Sequence, residues 1–169
     1  MEDLNCKKWV VIYTRSRHEK VVEKQLSDMG ITNYLPLRKT LRQWSDRKKW
    51  VEFPLFPNYV FVYANKFDLL RLPEVVGYIK TIFINGKIAI VPERDIEFIK
   101  IAISSVQFID TCIVEFKTFD RIVVTAGPLI GFVGQFIDYK GKKRLAIRIE
   151  AAGSCIIVDI SPKHIKKLE

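Results

Sequence analysis

Leu55-Phe56-Pro57-Asn58-Tyr59-Val60-Phe61-Val62 sets a proline-bounded turn directly against an aromatic-rich strand. Side chains of an extended chain alternate between faces, so Pro57, Tyr59, Phe61 and Tyr63 share one face while Val60 and Val62 take the other. The aliphatic face is expected to be core. A row of aromatics with polar handles is either core or a docking surface for another protein. Upstream, Trp9 to Tyr13 is a short, β-branched apolar run of the kind a buried strand requires. A helix is predicted to follow: Ser16 and Glu19 have the spacing of a capping box, Val22, Leu26 and Met29 form one stripe, and Gly30 stands where the helix should end.

The first turn of that helix carries Arg17, His18 and Lys20, preceded by Arg15. Cations oppose the positive end of the helix dipole. A bound phosphate reconciles them, because free amides, dipole and side chains then converge on one anion; alternatively Glu19 and Glu23 simply offset the charge, and the local pattern favours neither. Leu37 to Phe53 is predicted as a hairpin, with Ser45 and Asp46 near its turn and Trp44 and Trp50 flanking it. Between Arg38 and Lys49 stand Arg38, Lys39, Arg42, Arg47, Lys48 and Lys49 against Asp46 alone. Such an arm can grip a backbone and stack on bases, although lysine on exposed hairpin strands also discourages edge pairing.

Further along, Phe67 to Leu72 is expected to be a short helix stopped by Pro73. Asn85-Gly86 signals a hairpin between Tyr78 to Ile84 and Lys87 to Val91. Pro92 opens a helix with Ile96, Ile99 and Ile103 on its apolar side. From Phe119 onward short strands alternate with glycine turns: Ile122 to Thr125, Phe132 to Tyr139, Leu145 to Glu150, Cys155 to Ile160 and a last piece around His164 to Leu168. The fold class is α+β: an N-terminal α/β sandwich with an antiparallel sheet and about three helices, then a small SH3-like barrel. The expected division is residues 1–106, a linker at 107–117, and 118–169.

The chain has 169 residues, 49% apolar, with 28 basic and 19 acidic residues giving a net charge of +9. Its pI is near 9.5. That balance attracts polyanions. No run approaches membrane-spanning length and the N-terminus lacks a signal-peptide pattern, so a soluble, cytoplasmic protein without membrane contact is expected. Cys6, Cys112 and Cys155 are odd in number and far apart, which argues against a disulfide framework and a cysteine-based zinc site. With only His18 and His164 to add, no metal and no cofactor are expected. No phosphate loop, zinc-protease helix or nucleophile motif occurs, so an enzyme is disfavoured.

Trp9 to Tyr13, the Phe56-Pro57-Asn58-Tyr59-Val60-Phe61-Val62 segment, the Val91-Pro92 helix start, and Asp120-Arg121-Ile122-Val123-Val124 leading into Gly127-Pro128-Leu129-Ile130-Gly131 together resemble the NusG family, an N-terminal NusG domain joined to a KOW domain. The wording of the opening motif is closer to the specialised RfaH-like and UpxY-like antiterminators. The resemblance implies a non-enzymatic bacterial elongation factor, acting as a monomer, that docks on the clamp helices of RNA polymerase, bridges the DNA cleft and disfavours pausing and termination. It implies polymerase contact at Tyr13, Tyr59 and Phe61, with Phe56 and Pro57 shaping the patch and Ile99 or Ile103 bordering it. Arg15, Arg17, His18 and Lys20 are the implied contacts to the non-template DNA strand. Asp120, Gly127, Pro128, Gly131 and Gly134 carry the KOW pattern, whose partner would be the ribosome or a termination factor. A second reading is an RNA-binding or ribosome-associated KOW protein whose N-terminal domain is only structural.

Overall fold

The alternation read at residues 59–64 is realised in the middle of an antiparallel sheet. The structure is a computed structural model that describes residues 5–43, 47–105, 109–112 and 121–168. Trp44, Ser45, Asp46 and Asp120 lie outside the described residues, as does most of the expected linker. The chain forms two compact units, residues 1–92 and 93–169.

In the first unit, β1 (Lys8–Thr14) leads to α1 (Glu19–Asp28), then β2 (Asn33–Tyr34), β3 (Leu37–Gln43), β4 (Lys48–Pro54) and β5 (Tyr59–Ala64). After α2 (Lys66–Arg71) come β6 (Tyr78–Thr81), β7 (Phe83–Ile84), β8 (Lys87–Ile88) and β9 (Ile90–Val91). The sheet runs β2-β5-β1-β6, and β9 also pairs with β1. The chain therefore meets the edge of β1 at Ile12 to Thr14, leaves through the small β7–β8 hairpin, and returns at Trp9 and Val10. Asn85-Gly86 makes the expected tip, and the Ala89 amide still meets the Ile82 carbonyl at 2.9 Å, but beyond them β6 and β9 pair with β1 rather than with each other.

Val10, Ile12, Val60, Val62 and Ala64 form one face of the sheet and pack with Val22 and Leu26 of α1, and with Ile31, Leu35, Leu72 and Val75. This is the aliphatic core expected from residue parity. Gly30, at φ +72°, ends α1 as expected, and the Ile31 amide reaches back to the Leu26 carbonyl at 2.9 Å. The start of α1 differs. His18 is its N-cap and makes no side-chain capping bond, so the predicted Ser16–Glu19 box is absent; Glu19 instead accepts a hydrogen bond from the distant Asn58 amide. A capping box does form at α2, between Asn65 and Asp68. The β3–β4 hairpin is a two-stranded sheet of its own.

The second unit contains α3 (Glu93–Ser105), β10 (Ile109–Cys112), β11 (Arg121–Val124), β12 (Val133–Tyr139), β13 (Lys142–Ile149), β14 (Ser154–Val158) and β15 (Ile165–Lys167). Its antiparallel sheet is ordered β10-β14-β13-β12-β11-β15. The five expected strands are all present, in a small antiparallel β-domain. Two features differ from expectation. α3, expected to close the first unit, groups with the second: the Phe98 ring lies 5.1 Å from that of Phe132, and burial chiefly, with a smaller contribution from Glu150, raises the Asp95 carboxyl above its ordinary range against the opposing pull of Arg94. And residues 109–112, inside the expected linker, form a strand on the edge of β14. Asp110 anchors that strand, accepting hydrogen bonds from Lys140 Nζ at 2.8 Å and the Tyr139 hydroxyl at 3.0 Å.

Gly134 marks where β12 and β13 approach too closely for any side chain. A Cβ there would sit 2.6 Å from the Ala146 carbonyl oxygen and 2.6 Å from Leu145 Cδ1. Gly134→Val is expected to destabilise the second unit by about 1–3 kcal/mol through overpacking, read by calorimetry as a lowered transition temperature.

Candidate functional site

Two tight turns build the site. Phe56-Pro57-Asn58-Tyr59 closes with the Tyr59 amide on the Phe56 carbonyl at 3.2 Å, and Asn58 takes φ +70°. Proline second and a left-handed asparagine third are what a type II turn demands. Arg15-Ser16-Arg17-His18 closes similarly, with the His18 amide on the Arg15 carbonyl at 3.1 Å and Arg17 at φ +64°. Left-handed backbone is costly for arginine, and such strain concentrates at functional positions.

The turns are bolted together. The Asn58 amide donates to Glu19 Oε1 at 2.9 Å, the Thr14 amide to the Asn58 carbonyl at 2.8 Å, and Asn58 Nδ2 to the Tyr13 hydroxyl at 3.0 Å. Glu19 is buried. Gly77 braces the other side: its carbonyl accepts the Arg15 amide, and a Cβ there would press on His18 Cβ at 2.9 Å.

From this frame two surfaces arise. On the aromatic face of the sheet Tyr13 lies opposite Tyr59, Val11 opposite Phe61 and Trp9 opposite Tyr63. Tyr13 and Tyr59 meet edge to face at 5.2 Å and are half-buried. Burial first, and then the neighbouring Tyr13 phenol, raise the Tyr59 hydroxyl above its ordinary range, so it stays protonated and able to donate. Pro57 is exposed. Phe61 and Phe56 are fully buried, packed on each other at 5.7 Å, with Tyr34 6.4 Å from Phe61. They are therefore core, not contact surface, because one ring fills the space beneath the other. Ile99 is likewise buried and Ile103 half-buried, both on α3 of the second unit. Exposed apolar residues that the sequence reading passed over stand in the small β7–β8 hairpin: Phe83, 59% exposed, and Ile84. Their signal was an apolar pair beside the Asn-Gly tip.

The second surface is cationic. A groove of about 440 Å³ is lined by Ser16, Arg17, Glu19, Lys20, Arg38, Thr40, Phe53, Pro54, Pro57 and Asn58. Lys20 also lines an adjoining hollow of about 730 Å³ with Lys39, Arg47, Lys49, Trp50, Val51 and Glu52. Glu52 draws Lys20 to 3.9 Å and Lys39 to 3.8 Å, while Glu19 is committed to Asn58. Basic side chains thus dominate, and Trp50, 64% exposed, offers a stacking face. The helix start and the hairpin, read separately in the sequence, share this groove. Arg15 is exposed but does not line either hollow, and half-buried His18 holds its ring Nδ1 3.1 Å from the Ser16 carbonyl.

Residues 7–100 match the family model of the transcription termination factor NusG. That span is more than half of the chain. The chain belongs to the NusG family. It is accordingly a transcription factor of the elongation class. NusG of Thermotoga maritima, in a structure concerned with its domain interaction, shares the fold, with 20% identity, coverage of 97% of this chain and 98% of that one, and a TM-score of 0.57. The MjSpt4:Spt5 complex in conformation B is looser, with 16% identity, 95% and 96% coverage and a TM-score of 0.31. No curated protein sequence gives a significant match. Of the residues expected to carry the KOW pattern, Gly127 and Gly131 take φ +86° and +85° in an exposed loop with Pro128, and Gly134 lies within β12.

Glu19→Ala strands the Asn58 amide. It is expected to cost about 1–3 kcal/mol, measured by urea unfolding followed through tryptophan fluorescence, since all three tryptophans precede residue 51. Glu19→Gln, which keeps an acceptor, should cost less.

Proposed function

We propose that this chain is a bacterial, cytoplasmic elongation and antitermination factor that binds RNA polymerase through its first unit and suppresses pausing and termination. It acts by binding alone, without catalysis or cofactor. The carrying observation is the half-buried Tyr13–Tyr59 pair, presented by the Asn58 turn beside a cationic groove. Aromatics with a protonated hydroxyl and one exposed edge are suited to the centre of a protein interface. The clamp helices of the polymerase are the docking element implied by the family wording of this motif, with Pro57 at the margin. The groove from Arg17 and Lys20 to Lys49 and Trp50 receives the displaced non-template strand.

Holding both sides of the DNA cleft biases the polymerase toward its closed-clamp states, a shift limited by the differential affinity for those states. The RfaH-like and UpxY-like wording supports action on a specific long operon, such as one for surface polysaccharide. The second unit, through the exposed Gly127–Gly131 loop, would engage the ribosome or a termination factor.

Tyr59→Ala is expected to weaken polymerase binding about thirtyfold, corresponding to about 2 kcal/mol, with folding retained; Phe61→Ala would instead unfold the core. Polymerase capture unaffected by Tyr59→Ala would reject this docking surface and favour the RNA-binding or ribosome-associated reading. For the groove, Arg17→Ala with Lys20→Ala should weaken binding to single-stranded DNA and reduce the log–log salt slope by about 0.7 for each phosphate that is no longer neutralised. An unchanged slope would exclude both positions.

A further inference from the structure

Lys20 and Lys39 come from different elements, α1 and β3, yet both converge on the carboxylate of Glu52 in β4. Each approaches its own oxygen: Lys20 Nζ lies 3.9 Å from Oε2 and Lys39 Nζ 3.8 Å from Oε1. Lys39 owes its place to the hairpin register, which sets it directly opposite Glu52. Lys20 reaches across from the first turn of α1 and lines both hollows of the cationic groove. Two ammonium groups brought to two oxygens of one anion also suit a phosphate. The internal carboxylate holds that position loosely. Charge-assisted hydrogen bonds close to about 2.7–2.9 Å, so neither contact is one, and the side chains are 43% exposed at Glu52, 56% at Lys20 and 70% at Lys39. Solvent screens such pairs and leaves them little net stability, so an incoming anion can displace them.

We propose that Lys20 and Lys39 form a subsite for one backbone phosphodiester of the strand in the groove, and that Glu52 is an internal stand-in for that phosphate, which its carboxylate must vacate for the strand to seat. The inference rests on the groove being a nucleic-acid surface. Trp50 precedes Glu52 by two residues on the same strand and so shares its face, which sets an exposed ring beside the subsite for the adjoining base. Glu52 acts in two opposite senses. In the free chain it holds two lysines together against their mutual repulsion and links α1 to the hairpin. In the complex it is a negative charge next to a phosphate, and it weakens the hold of the groove on any strand.

Binding of the full-length chain to a short fluorescein-labelled oligothymidylate is measured by anisotropy at low salt, with circular dichroism to establish that each variant is folded. Glu52→Gln is expected to bind about three- to tenfold more tightly than the wild type, because the phosphate no longer has to break two exposed pairs. Asp28→Asn changes the net charge equally at the other end of α1 and should differ little from wild type. In a chain carrying Lys20→Ala and Lys39→Ala, the gain from Glu52→Gln should vanish. Glu52→Gln binding no more tightly than wild type, a gain matched by Asp28→Asn, or a gain that persists without the two lysines would each overturn the subsite and leave the groove in place. Absence of binding by every chain would overturn the groove and the subsite together.

Discussion

The hydrogen bond from the Asn58 amide to the buried Glu19 carboxylate is the constraint on which the first unit depends. It joins the start of α1 to the start of β5, through residues 39 positions apart in the chain. Without it, a left-handed asparagine and a left-handed arginine would be two isolated local costs. With it, each turn fixes the other: the Asn58 carbonyl closes on Thr14, its side-chain amide on Tyr13, and the basic residues of the α1 turn face the same groove as the hairpin base. The protein surface and the nucleic-acid surface proposed for this chain therefore share one internal anchor, and a single displaced carboxylate disturbs both.

Much of the fold was legible in the sequence because it rests on short-range rules. The two-residue period put Val60 and Val62 in the core, glycine at position 30 ended α1, and Asn85-Gly86 made a hairpin tip. The family was legible from the order of its segments, which the match over residues 7–100 supports. What escaped detection was long-range. Glu19 has the spacing of a capping residue, and nothing local reveals that a turn far downstream takes its carboxylate in place of the helix amides. Parity assigned Phe61 correctly to the face of Tyr59 but could not distinguish a ring under Phe56 from a ring under solvent. The distinction comes from the Phe56 and Tyr34 rings, contributed by different segments.

The same limit explains the unit boundary. The expected linker, residues 107–117, carries no glycine or proline to mark a divide, and the apolar stripe of α3 specified burial without specifying against what. Phe98 on Phe132 decides the grouping, and β10 converts part of the expected linker into sheet. Sequence distance likewise concealed Glu52 beside Lys20, since spacing in a chain carries no information about which elements later folding brings together.

The β3–β4 hairpin pairs with no other strand among the described residues, and its two legs close at the base, where the Leu55 amide meets the Pro36 carbonyl at 2.7 Å. Residues added or removed in pairs beyond that base lengthen or shorten the arm by about 3.3 Å per residue in each strand, with no effect on the registry of β1 and β5. Its length is thus an evolvable variable uncoupled from the core: related chains are free to tune how far their charge and tryptophan extend while inheriting one unchanged scaffold.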